Sequence, residues 1–330
     1  MVLSGGPRRS MHIIFDLILF PALAITFCGY FGGKDRLFDL VNYARPEIPL
    51  VALVLILVAL LARDNVRLVI AVFLLAASLW PLLVRSAPAA PDDQPGQLRI
   101  MTVNVDGWSS AYDRFTDMIR DEQPDVVVMQ ETTREWRDAV TSLTDELPYV
   151  TQPSLGGKTN IVIASRYPFA SSLVEVEPLA VPTDDIGGSL AIRAVVDWEG
   201  ARRPLVLYAI HAPTVRKFSG WMVRNLYLRA IARRAASESP NSNVMVAGDW
   251  NTPYWSPVVA SFMRRSGMST TERGAWPPAT RFFRGTGLPP SFGVPIDRIA
   301  VSKGIAVAGV HVSEDFGSDH LAVIADLVLP

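Results

Sequence analysis

The chain has 330 residues, of which 49% are hydrophobic and 19% charged, and its formal net charge is −1. A mean hydropathy of +0.24 is too high for an ordinary water-soluble protein. The nearly neutral charge argues against a protein that binds nucleic acid through a strongly basic face. The single cysteine, Cys28, excludes an intrachain disulfide and a zinc site built from cysteines.

Three apolar stretches in the first 85 residues account for the high hydropathy. We predict transmembrane helices at about 13–31, 46–63 and 66–84, because a helix needs about 20 apolar residues to cross a bilayer. A buried helical hairpin and a signal peptide are the alternatives. A signal peptide is followed by a cleavage site and polar sequence, whereas further apolar segments follow here. We therefore predict that residues 1–85 form a membrane region.

The distribution of basic residues predicts how this region is oriented, because cytoplasmic loops carry an excess of Lys and Arg. Arg8 and Arg9 precede the first stretch and favour a cytoplasmic N-terminus. Three spans then place the rest of the chain on the extracytoplasmic side. The full count gives four basic residues to each side, so this prediction depends on Arg8 and Arg9. We expect a multi-pass protein of the inner or plasma membrane.

Beyond the membrane region the sequence pattern changes. Residues 86–97 are rich in Pro and Ala and are predicted to form a semi-stiff linker. Over 98–330, short apolar runs rich in β-branched residues are interspersed with helical patterns at 111–122, 134–146 and 219–237. In several places one strand pattern follows another with no helix between them. This mixture predicts an α/β fold in which two sheets pack together with helices outside them.

Polar residues stand where the predicted strands begin or end. They are Asn104, Glu131, His211, Asp249, Asn251, Asp297, Asp319 and His320. A single residue of this kind is explained equally well by a strand cap or an Asx turn. Six strand ends that all carry Asn, Asp, Glu or His are harder to explain in that way. The set offers oxygen ligands and no thiol, which favours Mg²⁺ or Mn²⁺ over zinc.

The order of short motifs along 98–330 resembles a known family. The motifs are Asn104, QE at 130–131, SRYP at 165–168, HAP at 211–213, GDWN at 248–251, IDRI at 296–299 and SDH at 318–320. They are similar in order and spacing to the endonuclease/exonuclease/phosphatase superfamily. The resemblance covers all of 98–330 and implies a membrane-anchored, bacterial-type member with the DNase I-like fold. That fold is a four-layer α/β sandwich, two packed sheets flanked by helices.

The resemblance also implies a metal centre. Glu131, with Asn104 and Asp319 beside it, is expected to hold Mg²⁺ or Mn²⁺, and a single carboxylate with waters is a typical way to bind magnesium. Asp249 is expected to orient or deprotonate the attacking water. These roles rest on the resemblance, and the alternative for Asn104 is a strand-end cap.

The remaining site residues are expected, by the same resemblance, to contact the phosphate. Asn251 would donate a hydrogen bond to the oxygen that gains charge in the transition state. His320 would contact the same phosphate while Asp297 fixes its tautomer and raises its basicity. His211 would touch the phosphate or assist the leaving group. A turn residue at His211 and a loop cap at Asp297 are the structural alternatives.

These expectations favour a membrane-anchored, Mg²⁺-dependent phosphoesterase that hydrolyses a phosphate ester or pyrophosphate, with a lipid-linked phosphate as substrate. The alternative enzyme is an extracytoplasmic nuclease acting on DNA, which the near-neutral charge does not favour. A membrane-bound protein that keeps the fold only for binding is a third, non-enzymatic possibility. A panel of lipid phosphates and plasmid DNA distinguishes the two enzymes.

Overall fold

The computed structural model describes residues 7–82, 87–91, 94–151, 160–170, 175–177, 191–200, 202–272 and 277–330. Residues 83–84 of the third predicted span and residues 86, 92 and 93 of the predicted linker lie outside these ranges. The chain divides into two compact units. The helical unit comprises 1–84 with 255–260, and the sandwich unit comprises 85–254 with 261–330.

Helices form the described N-terminal part of the helical unit. They are α1 (Pro7–Gly29), α2 (Arg36–Leu40), α3 (Glu47–Ala62) and α4 (Asn65–Leu79), with 3₁₀ turns at Val41–Ala44 and Trp80–Leu82. Acidic side chains cap two of these helices. The Asp35 carboxylate accepts hydrogen bonds from the backbone N–H groups of Leu37 and Phe38, and that of Asp64 accepts one from Arg67. Each cap satisfies donors that the first helical turn leaves free.

Two helices are long and apolar enough to cross a membrane, at Ser10–Gly29 and Asn65–Leu82. They match the first and third predicted spans. The middle prediction, 46–63, is met only in part, because α3 has 16 residues and is too short alone. It reaches the required length only when it is counted with Arg36–Ala44, from which it is bent by 66°. Among the described residues, the helical unit therefore has two helices that could cross a membrane, or three candidates if the bent pair counts as one span.

The exposure of side chains in the helical unit agrees with association with a membrane. Leu19, Leu55 and Leu74 are buried in a seam between the long helices. Leu17 and Leu61, on two of the same helices, are 69% and 78% exposed. Water-soluble proteins rarely expose large contiguous apolar surfaces, whereas lipid-facing helices do.

The sandwich unit contains two six-stranded sheets in the described residues. The strands are β1 (Leu98–Asn104), β2 (Val126–Gln130), β3 (Tyr149–Val150), β4 (Val162–Ser165), β5 (Glu175–Glu177), β6 (Ala191–Val196), β7 (Leu205–His211), β8 (Asn243–Asp249), β9 (Ser269–Thr270), β10 (Asp297–Val301), β11 (Ala306–Val312) and β12 (Val323–Val328). The first sheet has the order β11-β12-β1-β2-β4-β3 and the second β5-β6-β7-β8-β10-β9. The helices are α5 (Tyr112–Glu122), α6 (Arg134–Thr141), α7 (Phe218–Glu238) and α8 (Pro257–Ser266), with a 3₁₀ turn at Pro290–Phe292. Residues 257–260 of α8 are counted with the helical unit.

Alternating side chains bury both faces of the sheets. In β1, Ile100 lies in the core between the two sheets, together with Leu207 of the second sheet. Its neighbour Met101 points to the other face and packs with Phe115 of α5 and Trp136 of α6. Because successive residues of a strand face opposite sides, each strand joins the inner core to an outer helical layer. The predicted two-sheet α/β sandwich is confirmed.

The segment before β1 pairs with the sandwich. The backbone N–H of Ala87 donates to the carbonyl oxygen of Thr270 at 2.7 Å, and that of Ala90 donates to Val307 at 2.9 Å. Ala89 also forms a parallel bridge with Val307. These described residues of the predicted linker therefore have fixed backbone partners.

Candidate active site

Three predicted residues meet at one edge of the second sheet. The parallel strands β7 and β8 place His211 in register with Asp249, and the antiparallel β10 places Asp297 opposite Asp249. Gly248 makes the close approach of β7 and β8 possible. Its φ is 149°, and a Cβ at this position would lie 1.9 Å from the carbonyl oxygen of Ile210. Only glycine fits there without moving the backbone that presents Asp249.

The first sheet contributes Asn104 and Glu131. The parallel strands β1 and β2 pair Asn104 with Gln130, so Glu131 follows directly at the same edge. Glu131 has a φ of 59°, a left-handed conformation that non-glycine residues adopt mainly where the structure requires it. Nδ2 of Asn104 donates to Oε1 of Glu131 at 2.9 Å and to Oδ2 of Asp249 at 3.3 Å. This amide therefore joins the edges of the two sheets.

Asn251 lies in the turn that follows β8, with a φ of 45°. Its backbone N–H donates to Oδ1 of Asp249 at 2.7 Å, and Nη1 of Arg224 donates to its carbonyl oxygen at 3.0 Å. Its side-chain Nδ2 donates to the carbonyl oxygen of Ala212 at 2.8 Å and to Oδ2 of Asp249 at 3.3 Å. A hydrogen bond from Asn251 to a substrate would replace the longer of these contacts.

His320 and Asp297 form a buried ion pair. Nδ1 of His320 lies 2.8 Å from Oδ2 of Asp297, and the side chains are 4% and 0% exposed. Burial favours a low pKa for His320, but the charge of Asp297 and its hydrogen bond outweigh it and raise the pKa to about 9. The imidazole is therefore protonated at neutral pH. The other oxygen of Asp297, Oδ1, has no hydrogen-bond partner among the described residues.

Asp319 extends this pair towards the rim of the site. Its Oδ1 lies 3.8 Å from Nε2 of His320, and its Oδ2 accepts a hydrogen bond from Nη2 of Arg281 at 3.0 Å. The Asp319 side chain is 27% exposed, much more than that of His320. The carboxylate is therefore open to a ligand on the side that Arg281 does not cover.

His211 lies between Glu131, which follows β2 of the first sheet, and Asp249 of the second sheet. Its Nε2 lies 3.6 Å from Oε1 of Glu131 and 3.8 Å from Oδ2 of Asp249. Its Nδ1 lies 3.5 Å from Oδ1 of Asn160. Burial lowers the pKa of His211, so this imidazole is neutral at pH 7 while that of His320 is charged.

The site has a surplus of negative charge. One glutamate and three aspartates converge there, and burial together with the charge of Asp297 raises the pKa of Asp249 to about 7. Carboxylates that repel one another in a buried site are stabilised by a cation. Oδ1 of Asp297 has no hydrogen-bond partner among the described residues, and the Glu131 side chain is 36% exposed. Both carboxylates therefore have an oxygen atom that can contact a cation. The donor set fits a hard divalent cation.

Two sets of ligands can be drawn from this geometry. Asp249, Asp297 and His320 offer one ligand atom each, all within 4.8 Å of one another. His320 is protonated, however, and its Nδ1 is already bonded to Asp297, so its nitrogen is a poor ligand. We favour the set predicted from the sequence, Glu131, Asn104 and Asp319. All of its ligand atoms are oxygens, which hard cations such as Mg²⁺ bind in preference to nitrogen.

The structure brings all eight predicted residues into one group, joined by contacts of 4.8 Å or less. Their chemical roles remain predictions. Sequence reasoning missed Asn160, Arg224 and Arg281, which contact members of the group. Asn160 opens the run NIVIAS and carries the same strand-end signal as the others. Arg224 lies within a helical pattern and Arg281 between patterns, so neither has a signal of its own.

Comparison with known families agrees with this geometry. A family model described as the Endonuclease/Exonuclease/phosphatase family matches residues 101–320. That range includes every residue of the group described above. No curated protein sequence matches the chain.

Several solved structures share the fold. An endonuclease/exonuclease/phosphatase from Beutenbergia cavernae DSM 12333 is 23% identical, covers 72% of each chain and has a TM-score of 0.56. A humanized D. rerio TDP2 is 18% identical over 70% of this chain and 98% of its own, with a TM-score of 0.57. Sphingomyelinase C from Streptomyces griseocarneus is 16% identical over 70% and 99%, with a TM-score of 0.50. At these identities the likeness is one of fold.

Proposed function

This chain belongs to the endonuclease/exonuclease/phosphatase family of metal-dependent phosphoester hydrolases, and we propose that it is a membrane-anchored, Mg²⁺-dependent phosphoesterase. Its substrate is a phosphate ester or pyrophosphate carried by a lipid. The observation that carries this proposal is the single group of eight polar residues at the strand ends, in a chain that also has two helices apolar enough to cross a membrane.

Glu131, Asn104 and Asp319 hold the cation in this proposal. When bound, the cation supplies Lewis-acid chemistry, polarising a phosphoryl oxygen and stabilising charge on the leaving oxygen. Asn104 has a second task, because its Nδ2 fixes the Glu131 carboxylate at 2.9 Å. Second partners of this kind orient a metal ligand before the metal arrives.

Asp249 accepts the proton of the attacking water. A pKa of about 7 suits a general base, since the group is substantially ionised at neutral pH and still basic enough to take a proton. The water oxygen forms a new bond to phosphorus as the bond to the leaving oxygen breaks, and the leaving oxygen keeps the bonding electron pair. The products are an inorganic or organic phosphate and the alcohol or phosphate that left.

The two histidines have different charges and so different tasks. The imidazolium of His320 donates from Nε2 to a phosphoryl oxygen, because its Nδ1 is held by Asp297 at 2.8 Å. The neutral His211 hydrogen-bonds the phosphate or the leaving oxygen. Asn251 adds a donor to the oxygen that gains charge, which a preorganised site stabilises far better than water does.

A lipid-linked substrate is supported by the two apolar helices, which hold the enzyme at a bilayer surface. Tethering raises the effective concentration of a membrane-bound substrate. One structure of the same fold is a sphingomyelinase, and its name refers to a lipid. The net charge of −1 does not favour DNA as the substrate, because binding to duplex DNA depends on many basic contacts.

The proposal is tested with the full-length protein in lipid nanodiscs. A lipid phosphomonoester, a prenyl pyrophosphate, sphingomyelin and plasmid DNA are each supplied with and without Mg²⁺. We expect Mg²⁺-dependent hydrolysis of one of the lipids, measured as phosphate released from the monoester or pyrophosphate or phosphocholine released from sphingomyelin, and no nicking of the plasmid. Plasmid cleavage without lipid hydrolysis would establish the nuclease instead. Inactivity on all four substrates would remove the proposal.

We further propose a multi-pass protein of the inner or plasma membrane with the sandwich unit on the extracytoplasmic side. The support is Arg8 and Arg9, which favour a cytoplasmic N-terminus. A reporter fused after Pro330 tests this. Alkaline phosphatase active only outside the cytoplasm should give a signal, and a fluorescent protein that folds only in the cytoplasm should not. The reverse pair of results would reverse the orientation.

A further inference from the structure

Arg281 occupies a fixed position beside the proposed site. Its backbone lies directly opposite His320 in an antiparallel bridge. The flanking hydrogen bonds run from the N–H of Phe282 to the carbonyl oxygen of Asp319 at 3.0 Å and from the N–H of Leu321 to that of Thr280 at 2.7 Å. Because these bonds tie the two segments together, the position of Arg281 relative to His320 is set by the backbone.

The guanidinium of Arg281 is held at the rim and is open to solvent. It donates from Nη2 to Oδ2 of Asp319, lies 5.8 Å from the ring centroid of Phe283, and its side chain is 25% exposed. Among the described residues, it is the arginine or lysine that forms a salt bridge with a carboxylate of the group. From the buried pair of Asp297 and His320 outward to Asp319 and Arg281 at the rim, negative and positive groups alternate.

An ion pair of this exposure contributes little to stability, so Asp319 is readily exchanged for a stronger acceptor. A phosphoryl group with two free charges is such an acceptor, because its oxygens bind a guanidinium through two parallel hydrogen bonds. The excess of carboxylates in the site repels a doubly charged phosphoryl group. A second positive side chain beside His320 therefore increases the affinity for a dianion more than the affinity for a singly charged substrate. A phosphodiester carries one charge and lacks a third terminal oxygen.

We propose that Arg281 binds a terminal, doubly charged phosphoryl group, so that the enzyme prefers phosphomonoesters and pyrophosphates to phosphodiesters. This inference rests on the proposed function and narrows its substrate class. Arg281 is the specificity-determining residue, and the reaction remains the hydrolysis described above.

Turnover of a matched pair of chromogenic substrates tests the inference. Full-length protein in detergent with Mg²⁺ is given p-nitrophenyl phosphate, a monoester, and bis(p-nitrophenyl) phosphate, a diester. Arg281→Gln should lower kcat/KM for the monoester by about 10- to 100-fold, as expected for a charge-assisted hydrogen bond, and for the diester by less than about 3-fold. Arg281→Lys should restore part of the loss, because it keeps the charge but not the bidentate geometry.

Arg120→Gln is the matched control. Arg120 lies on α5, is 52% exposed and pairs with Asp117 and Glu146, outside the group. We expect it to leave both rates unchanged. An equal loss on both substrates, or none, in Arg281→Gln would overturn the inference while leaving the phosphoesterase intact. Failure of the wild type on both substrates and on the lipid panel would instead overturn the proposed function.

Binding gives a second measurement that does not need turnover. Inorganic phosphate is titrated calorimetrically into the full-length wild type, Arg281→Gln and Arg120→Gln with Mg²⁺ present. We expect affinity to fall by about 10-fold or more only in Arg281→Gln. Equal affinity in all three proteins would contradict the inference. Unchanged melting temperatures in the variants would show that a change in affinity is local.

Discussion

The helical unit and the sandwich unit each contain a cluster of charged side chains, and the two clusters are completed differently. In the helical unit, Arg67 donates to Asp16 at 2.6 and 2.9 Å and to Asp64 at 2.7 Å, with Nδ1 of His12 2.8 Å away. Donors and acceptors are matched within the cluster. In the sandwich unit, by contrast, Oδ1 of Asp297 has no hydrogen-bond partner among the described residues.

This difference distinguishes charged side chains that stabilise the fold from charged side chains that can bind a ligand. Burying a charged atom without a hydrogen-bond partner is costly, so a fold that needs only stability supplies partners within the cluster, as Arg67 does for Asp16 and Asp64. A site that binds a cation and a phosphate cannot satisfy all of its polar atoms internally, because the ligands would then have to displace those internal partners. Substitutions in the two clusters should therefore affect different properties, activity in one and stability in the other.

Asp249→Asn should have the largest effect. The amide keeps the shape and can keep contact with Asn104, but it cannot accept the proton of water, so kcat should fall by about 1,000-fold. Turnover of the best lipid substrate measures this, and the melting temperature should not fall. Asp117→Asn is the control, since Asp117 is 71% exposed on α5. Retained activity in Asp249→Asn would show that Asp249 is not the general base.

Glu272 and Arg298 test the cost of an imperfectly matched pair within the sandwich unit. Their charged atoms are 3.9 Å apart, and both carboxylate oxygens of Glu272 lack hydrogen bonds among the described residues. Burial raises the pKa of Glu272 from 4.5 to about 7, although Arg298 opposes the shift. Its contribution to stability is therefore present below pH 4.5 and is lost as the pH rises to about 7.

In Glu272→Gln this loss is absent, because the amide does not titrate. The free energy of unfolding of the variant should gain about 3 kcal/mol on that of the wild type between pH 4.5 and 8, whatever the difference at low pH. Melting temperatures in detergent across this range measure the change. Parallel curves for the two proteins would mean that Glu272 is ionised in the fold and matched by Arg298.

Glu131→Gln tests whether Glu131 is a ligand of the Mg²⁺ ion that we propose binds among these carboxylates. Removing the charge of a ligand should weaken Mg²⁺ binding by about 10- to 100-fold, while Asn104 can still contact the side chain. At a Mg²⁺ concentration near the dissociation constant of the wild type, Mg²⁺ should raise the melting temperature of the wild type and have little effect on the variant. Glu135→Gln, four residues away on α6, is the control. Equal stabilisation of all three proteins would place the cation elsewhere.

Much of the sandwich and its site was predictable because the signals are local. Strand ends are marked by a change from apolar to polar residues, and glycine at 248 marks a backbone that a side chain would obstruct. The predicted helix at 111–122 matches α5 to within one residue. The pattern at 134–146 is longer than α6, which ends at Thr141, because Leu143 and Leu147 stay buried in the turns that follow.

Other features depend on contacts that no local pattern encodes. Asn104 and Asp249 are 145 positions apart and meet only when the two sheets pack. Helix α8 was not predicted, although Ser256 caps it by accepting a hydrogen bond from the N–H of Val258 and Pro257 is its first residue. The middle span was predicted from hydropathy alone, which registers an apolar run but not the bend of 66° that precedes it. Trp250, within the GDWN motif, is fully buried against Phe262, so part of that motif is core.

Asp16→Asn should have the smallest effect and completes the comparison from the helical side. Arg67 would lose one of its two hydrogen bonds to position 16, because the amide keeps one acceptor oxygen, and would keep those to Asp64; Asp16 is already 32% exposed. The free energy of unfolding should fall by less than about 1 kcal/mol, as for other partly exposed ion pairs. Lipid hydrolysis should not change, because a matched cluster offers no free group to a substrate. If Asp16→Asn abolished hydrolysis while the melting temperature stayed constant, the Arg67 cluster would belong to the catalytic machinery, and internal matching of charge would not distinguish structure from function in this protein.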